Sequence, residues 1–268
     1  LQVEHPVTEA ITGLDLVELQ FRVASGETLP LKQEQVRLNG HAVEARIYAE
    51  DPARGFLPST GKLTALEWPK GEGVRVDTGV ESGGEVSPFY DPMIAKMIVH
   101  APTREKALDN LAAALDQSIV VGPRNNVGFL AALARAKGFR SGQFDTGFIE
   151  QHIAELVPPA DTIDKGAVAL AAERLLLADQ ARFAPLPDSD QPPSPWDIAD
   201  AFQLSGVRAT KLPLSADGSP VVADATYKAT GISVSVEGAL AARDARLVDT
   251  PGGIVVLRHG QQIKVVRR

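Results

Sequence analysis

The stretch HAVEARIYA, residues 41–49, alternates apolar and polar side chains along its length. Successive side chains of a β-strand point to opposite faces, so the pattern predicts a half-buried strand. Its apolar members are predicted to face a core: Val43, Ala45, Ile47 and Ala49. Its polar members then share the opposite face: Glu44, Arg46 and Tyr48. Because a strand is a rigid support, Arg46 is a candidate functional residue.

Three further strand-like runs follow: KLTALEW at 62–68, VRVDTGV at 74–80 and MIAKMIV at 93–99. Turns that contain Gly or Pro separate them, which is typical of an antiparallel sheet. Thr103 then caps a predicted helix, and two more helical patterns follow, in NNVGFLAALARA and at 146–156. The first part of the chain is therefore predicted to be an α+β domain that ends near Leu156.

The chain begins with LQVEHPVTEA, in which the polar residues Gln2, Glu4 and His5 precede a predicted helix. Thr12 and Asp15 have the spacing of a capping box, so that helix is predicted to begin there and to end at Gly26. The polar motif stands at the beginning of the chain, and the strand pattern still runs at its end. We therefore expect the chain to belong to a longer parent protein.

Composition argues against several functional classes. Lys and Arg number 27 against 34 Asp and Glu, and the net charge of -7 has the wrong sign for nucleic-acid binding driven by counterion release. The absence of Cys excludes disulfides and a thiolate nucleophile, and the five His have no paired ligand spacing. No apolar run reaches the roughly 20 residues of a membrane span. Neither nucleic acid nor a membrane is expected as a partner, and no metal site is predicted.

The composition changes after Pro158 and Pro159. An Ala- and Leu-rich helix is predicted at roughly 164–179, followed by the linker APLPDSDQPPSP at 184–195, whose prolines prevent regular packing. Beyond Trp196, short alternating segments predict an all-β unit, either a small barrel or a sandwich.

By residue type alone, Glu4 and Arg46 favour ordinary roles. An unperturbed Glu has a pKa of about 4.3 and is a weak base at neutral pH, so a solvated or capping role is the simpler interpretation. An Arg on the polar face of a strand is usually a surface ion-pair member. The functional alternative for Arg46 is an anion clamp, because a planar guanidinium offers paired donors to carboxylate-like groups.

Two long stretches change this interpretation. LQVEHPVTEAITGLDLVE resembles the end of the ATP-grasp portion of biotin carboxylases, and GHAVEARIYAEDPARGFLPSTGKL, residues 40–63, resembles the start of their C-terminal domain. The stretches at 74–100, 125–136 and 144–156 are similar to that family as well, so the resemblance extends across roughly residues 1–156. It implies an antiparallel sheet with helices.

The resemblance also implies a role for each matching residue. The Glu of QVEHP is the general base that deprotonates bicarbonate in this family, which gives that role to Glu4. The side chain of Gln2 and the backbone N–H of Val3 are implied to hold bicarbonate. Arg46, the Arg of VEARI, is implied to lie beside bicarbonate and the biotin ureido oxygen, where it stabilises the enolate that forms on biotin.

The remaining polar residues of these motifs receive simpler expectations. His5 and Glu44 are expected to make local hydrogen bonds or ion pairs. DPMIAK, Asp91–Lys96, is expected to shape the sheet, and biotinylation of Lys96 is rejected because the Met-Lys-Met context of a biotin acceptor is missing. The family's biotin is expected on a carrier domain outside this chain, and ATP and magnesium are expected to bind mostly through residues before Leu1.

SPWDIADAFQLSG, residues 194–206, and the strands after it resemble the domain that connects biotin carboxylase to carboxyltransferase in multi-subunit acyl-CoA carboxylases, where a β-barrel surrounds a helix. The resemblance implies two partners, a carboxyltransferase β subunit and a biotin carboxyl carrier domain. Among these enzymes, the stretches around Arg46 and VRVDTG are more similar to 3-methylcrotonyl-CoA carboxylase α subunits than to propionyl-CoA ones. The chain alone is expected to be inactive.

The predicted domains are an ATP-grasp end at 1–26, a biotin carboxylase C-terminal domain at 27–156, a helix with a Pro-rich linker at 157–195, and a subunit-connecting β domain at 196–268. Two alternatives stay open. The chain is a non-catalytic module that docks a carboxyltransferase subunit, or it belongs to another biotin-dependent carboxylase, acting on propionyl-CoA, pyruvate or urea. The resemblance implies a cytoplasmic location in a bacterium and the mitochondrial matrix in a eukaryote.

Overall fold

The computed structural model describes residues 1–159, 162–183, 200–201, 206–228 and 230–268. Contacts between residues divide the chain into two compact units, Leu1–Ala160 and Asp161–Arg268. Each unit has a hydrophobic core of its own.

The first unit combines helices with short strands. Its helices are α1 (His5–Thr12), α2 (Leu16–Ala24), α3 (Arg104–Gln117), α4 (Val127–Arg135), α5 (Lys137–Arg140) and α6 (Phe148–Leu156). Its strands are β1 (His41–Tyr48), β2 (Glu50–Asp51), β3 (Leu57–Pro58), β4 (Gly61–Lys62), β5 (Ala65–Glu67), β6 (Val74–Thr78), β7 (Glu85–Val86), β8 (Met93–Ala101) and β9 (Ile119–Val121). Single turns of 3-10 helix lie at Gln33–Gln35 and Pro52–Arg54.

A three-stranded antiparallel sheet in the order β1-β8-β6 forms the centre of the first unit. β1 covers the first eight residues of the alternating stretch HAVEARIYA. Arg46 of β1 lies opposite Lys96 of β8, and Asp77 of β6 lies opposite Lys96 from the other side. Ala45 and Ile47 are buried, as the alternation predicts. The predicted antiparallel sheet with helices is confirmed.

The apolar face of this sheet is covered by α3 and α4. Thr103 caps α3 as predicted, because its hydroxyl accepts a hydrogen bond from the Lys106 N–H at 3.3 Å. Leu108 and Leu115 of α3 are fully buried in the same core as Met97 of β8. This packing holds β8, and with it the polar face, in a fixed position.

The beginning of the chain folds into two helices, not one. α1 extends from His5 to Thr12 and is followed by the capping residue Gly13, whose φ of 72° lies in the left-handed region that glycine adopts without strain. α2 begins after Asp15, whose carboxylate accepts a hydrogen bond from the Glu18 N–H at 2.8 Å. The predicted capping box is therefore wrong in its first member: Thr12 is the last residue of α1, and Asp15 alone caps α2.

The second unit contains one described helix and a seven-stranded sheet. The helix is α7 (Lys165–Phe183). The strands are β10 (Ala209–Ala216), β11 (Ser219–Lys228), β12 (Gly231–Val236), β13 (Ala239–Leu240), β14 (Arg246–Thr250), β15 (Gly253–Arg258) and β16 (Gln261–Arg267). They form an antiparallel sheet in the order β13-β12-β11-β10-β16-β15-β14.

The core of the second unit lies between α7 and this sheet. The helix contributes small buried residues, among them Ala167, Ala171 and Ala172, so the strands of the sheet approach it closely. The sheet is a curled half-barrel around a helix. The predicted barrel-like fold is therefore confirmed, and the barrel is open. SPWDIADAFQLSG lies largely outside the described residues, and the predicted domain boundaries stay predictions.

Candidate active site

Residues 2–4 form a turn that runs directly into α1. The carbonyl of Gln2 accepts hydrogen bonds from the His5 N–H at 3.2 Å and from His5 Nδ1 at 2.8 Å, and the carbonyl of Glu4 accepts one from the Val7 N–H at 3.0 Å. Pro6 is buried in the first turn of the helix. The side chains of Gln2, Val3 and Glu4 are exposed. His5 therefore makes the local hydrogen bonds that the sequence analysis expected, and it fixes the turn.

The structure brings Glu4 and Arg46 into direct contact. Arg46 donates from Nη2 to Glu4 Oε2 at 2.8 Å, across 42 positions of sequence. The side chain of Arg46 is 40% exposed and that of Glu4 is 52% exposed. Both charged groups can therefore be reached by a small molecule from solvent while each holds the other in position.

Glu44 supports Arg46 from the same strand. Arg46 donates from Nε to Glu44 Oε1 at 3.4 Å, and the Glu44 side chain is only 4% exposed. Its second oxygen, Oε2, is buried without a hydrogen-bond partner among the described residues. Burial raises the pKa of the Glu44 carboxyl, and the hydrogen bond with Arg46 and the charge of Lys96 oppose that rise. Glu44 thus fixes the guanidinium at Nε.

Lys96 contacts the turn that carries Glu4, and sequence reasoning missed this contact. Residues opposite each other in antiparallel strands share a face, so Arg46, Lys96 and Asp77 form a row across the sheet. Lys96 Nζ donates to the Val3 carbonyl at 3.0 Å and lies 3.8 Å from Asp77 Oδ2. The alternation within β8 places Lys96 on the polar face, but only the pairing register reveals its neighbours.

An ion-pair network continues from Asp77 to α1. Arg75 donates to both carboxylate oxygens of Asp77, at 2.8 and 2.9 Å, and to Glu9 Oε2 at 2.7 Å. Both carboxylates raise the pKa of the Arg75 guanidinium. Glu9 Oε1 also accepts a hydrogen bond from the Leu16 N–H at 2.9 Å. The network therefore ties α1 and the start of α2 to β6.

Asn126 fixes the backbone of β1 beside Arg46. Its buried side chain accepts from the Tyr48 N–H at 2.9 Å and donates to the Arg46 carbonyl at 3.2 Å and to Glu50 Oε1 at 2.8 Å. β1 is an edge strand of its sheet, with β8 as its neighbour on one side. The pairing with β8 shifts register between Ile47 and Tyr48. Asn126 satisfies backbone groups on the unpaired side at this irregularity.

The site offers hydrogen-bond donors on the turn at residues 2–4 and on the partly exposed Arg46 guanidinium. The Val3 N–H belongs to the turn that carries Glu4, and no acceptor in the described part of the chain takes a hydrogen bond from it. Among residues 1–159 and the other described ranges, no group of three or more His, Asp or Glu side chains is arranged to hold a metal ion. None of the described helices is long and apolar enough to cross a membrane.

Two family models match the stretches that contain Glu4 and Arg46. Residues 44–151, which include Arg46, match the family described as biotin carboxylase C-terminal domain. Residues 1–32, which include Glu4, match the family described as carbamoyl-phosphate synthase L chain, ATP binding domain. With the relatives described next, these matches show that the chain belongs to the biotin carboxylase family.

Within that family the chain is similar to mitochondrial methylcrotonoyl-CoA carboxylase subunits alpha. It is 46% identical to that of Dictyostelium discoideum over 206 residues, which cover 76% of this chain and 29% of the relative. It is 44% identical to that of Mus musculus over 234 residues, which cover 86% of this chain and 32% of the relative. The chain thus spans about a third of the length of these curated relatives.

A solved structure with a similar fold is the biotin carboxylase domain dimer of 2-oxoglutarate carboxylase from Hydrogenobacter thermophilus, in complex with MgADP, ADP and bicarbonate. It is 43% identical, with a TM-score of 0.58, and the match covers 59% of this chain and 35% of that chain. The family and the fold are thereby shown, while the roles of Gln2, Val3, Glu4 and Arg46 stay predictions.

Proposed function

We propose that this chain supplies the bicarbonate- and biotin-facing part of a biotin carboxylase, within an acyl-CoA carboxylase of the methylcrotonoyl-CoA type. The observation that carries the proposal is the 2.8 Å contact between Arg46 Nη2 and Glu4 Oε2. A carboxylate that can accept a proton is thereby adjacent to a guanidinium that can bind an anion.

Glu4 is the proposed general base. Its exposed carboxylate takes the proton of bicarbonate, while the Gln2 amide and the Val3 N–H donate hydrogen bonds to the same anion. Arg46 holds the carboxylate in one orientation, and the turn at residues 2–5 holds the backbone. Pre-oriented groups of this kind lower the entropic cost of the reactive arrangement.

Arg46 has a second proposed role toward biotin. When bound, biotin supplies the ureido nitrogen that carries the carboxyl group. The Arg46 guanidinium would donate to the ureido oxygen, and a fixed cation on a strand would stabilise negative charge there without reorganisation. Glu44 holds Nε, and this leaves the two Nη groups for Glu4 and the ligand. ATP and magnesium are proposed to bind mainly through residues outside this chain.

The extent of the similarity favours the acyl-CoA carboxylases. The matches to the two methylcrotonoyl-CoA carboxylase subunits cover 206 and 234 residues and therefore extend into the second unit, which begins at Asp161. We accordingly propose that the second unit docks a carboxyltransferase β subunit and that biotin arrives on a carrier domain. The proposed location is the bacterial cytoplasm or the mitochondrial matrix.

The experiment that tests this function uses the full-length protein that carries the chain, purified with its β subunit. Bicarbonate-dependent ATP cleavage and carboxylation of 3-methylcrotonyl-CoA are expected, with propionyl-CoA as the weaker substrate. Arg46→Ala should lower carboxylation by about 10²- to 10³-fold, as removal of an electrostatic stabiliser does. Arg22→Ala, which also removes an exposed, ion-paired Arg, should leave the rate unchanged.

Two results would redirect the proposal. Binding of the β subunit without any bicarbonate-dependent ATP cleavage would favour a non-catalytic docking module. Preference for another substrate, such as propionyl-CoA, pyruvate or urea, would keep the biotin carboxylase function and replace the proposed acyl-CoA.

A further inference from the structure

We propose that Lys96 is a positioning residue of the candidate active site. By holding the Val3 carbonyl, Lys96 sets the direction of the Glu4 side chain. The inference rests on the proposed function, because it concerns the groups proposed to bind and deprotonate bicarbonate. It adds to that function a residue that makes no proposed contact with a substrate.

The contact itself is direct. Lys96 Nζ donates to Val3 O at 3.0 Å, across 93 positions of sequence. The Lys96 side chain is only 14% exposed, whereas most lysines extend their ammonium group into water. A largely buried ammonium needs partners to offset the cost of leaving water, and here the partners are the Val3 carbonyl and Asp77.

The consequence for Glu4 follows from peptide geometry. The Val3 carbonyl and the Glu4 nitrogen belong to one planar peptide unit, so a hydrogen bond to that oxygen restricts the backbone from which Glu4 extends. Arg46 binds the carboxylate at the other end of the same residue. Lys96 and Arg46 are opposite each other in β8 and β1, so adjacent positions of one rigid sheet hold Glu4 at its backbone and at its tip.

The charges around Lys96 agree with a holding role. Asp77 lies 3.8 Å from its ammonium and is itself held by Arg75, which also binds Glu9 of α1. The same network therefore holds α1, which follows Glu4. It also holds Lys96, which in turn binds Val3, the residue before Glu4. Loss of the Lys96 ammonium would release the turn at its beginning while the Glu9 contact remains.

The test compares three variants at one position: Lys96→Met, Lys96→Gln and Lys96→Arg. Lys106 lies on the exposed surface of α3, and Lys106→Met is the control for loss of a lysine charge. The first readout is amide hydrogen exchange of His5 and Val7, whose N–H groups donate within the turn. The second is the KM for bicarbonate and the kcat of the full-length carboxylase.

Lys96→Met and Lys96→Gln should each speed exchange and raise the bicarbonate KM by about tenfold, as loss of a charged hydrogen bond does. The kcat should change less.

Lys96→Arg should restore part of both losses because it keeps a charged donor. The inference is overturned by unchanged exchange and KM in Lys96→Gln, or by an equal change in Lys106→Met. If Lys96→Met fails to fold, Lys96→Gln, which keeps a polar side chain, decides the question. Normal turnover in Glu4→Gln combined with fast exchange in Lys96→Gln would reject the proposed function and retain the structural contact, so the two failures are distinguishable.

Discussion

Arg46 and Glu4 belong to different elements, a strand and the turn before a helix, and their side chains meet at 2.8 Å. Both are partly exposed, and exposed ion pairs contribute little to folding, typically about 0–1 kcal/mol. We therefore attribute the pair to the proposed chemistry of the site and not to the stability of the fold.

The first prediction separates the contribution of Arg46 to the stability of the fold from its contribution to carboxylation. Arg46→Gln should change the free energy of unfolding by less than about 1 kcal/mol, yet lower biotin carboxylation by about 10²-fold or more. Urea unfolding and a carboxylation assay measure the two quantities, with Arg22→Gln, whose Arg is paired with Glu18, as the control. A large loss of stability with normal carboxylation would show that the pair is structural.

The second prediction concerns Glu44 and pH. Its folded-state pKa is raised above the ordinary value of 4.5 by burial, so the folded protein binds this proton more tightly than the unfolded chain does. Glu44 therefore lowers stability as the pH rises from the ordinary value through the folded-state pKa, and its adverse contribution is complete above that pKa.

Glu44→Gln removes this contribution. The stability of the variant relative to the natural protein should increase between pH 4 and pH 7, about the range in which carboxyls with raised pKa values titrate. Urea unfolding at several pH values measures the difference, with the exposed Glu67→Gln as control. A difference that is constant with pH, or that changes in the opposite direction, would contradict the assignment.

The third prediction concerns Asn126. Its side chain makes three hydrogen bonds from a buried position, to Tyr48, Arg46 and Glu50. Asn126→Ala leaves buried backbone groups unpaired and should lower the free energy of unfolding by at least about 2 kcal/mol, whereas the exposed Asn39→Ala should have little effect. Equal stability of the two variants would mean that Asn126 does not support β1.

The strand that carries Arg46 could be predicted because alternation is a local property of the sequence. The antiparallel sheet, the Thr103 cap and the α+β class followed from similar local signals. Lys96 and Asn126 could not be assigned in this way, since their roles depend on strand register and on contacts across 93 and 80 positions. The error at Thr12 arose because the capping-box spacing spans two helices. Thr12 is the last residue of α1, and Asp15 caps α2.

The second unit gives a similar lesson. Its strands were predictable from alternation, and the resemblance implied a barrel around a helix, but nothing in the sequence identified Lys165–Phe183 as that helix. The buried face of this helix consists largely of alanine, for example Ala167 and Ala171, and alanine is a weak signal of burial. The surrounding strands supply the larger side chains of this core.

The fourth prediction tests the core of the second unit. Leu214 of β10 is fully buried, and Leu214→Ala should lower the free energy of unfolding by about 2–5 kcal/mol. Val222 of β11 is 48% exposed, so Val222→Ala should cost much less. Amide hydrogen exchange of β10 and β11 locates the effect. Similar costs at both positions would contradict the assigned core.

The central claim is that Glu4 is the base that deprotonates bicarbonate, and it is tested most directly by Glu4→Gln in the full-length carboxylase. The rate of bicarbonate-dependent biotin carboxylation should fall by about 10²- to 10⁴-fold, which is typical of a lost general base. The exposed Glu27→Gln should keep the natural rate. Carboxylation by Glu4→Gln within a few-fold of the natural rate would contradict the claim.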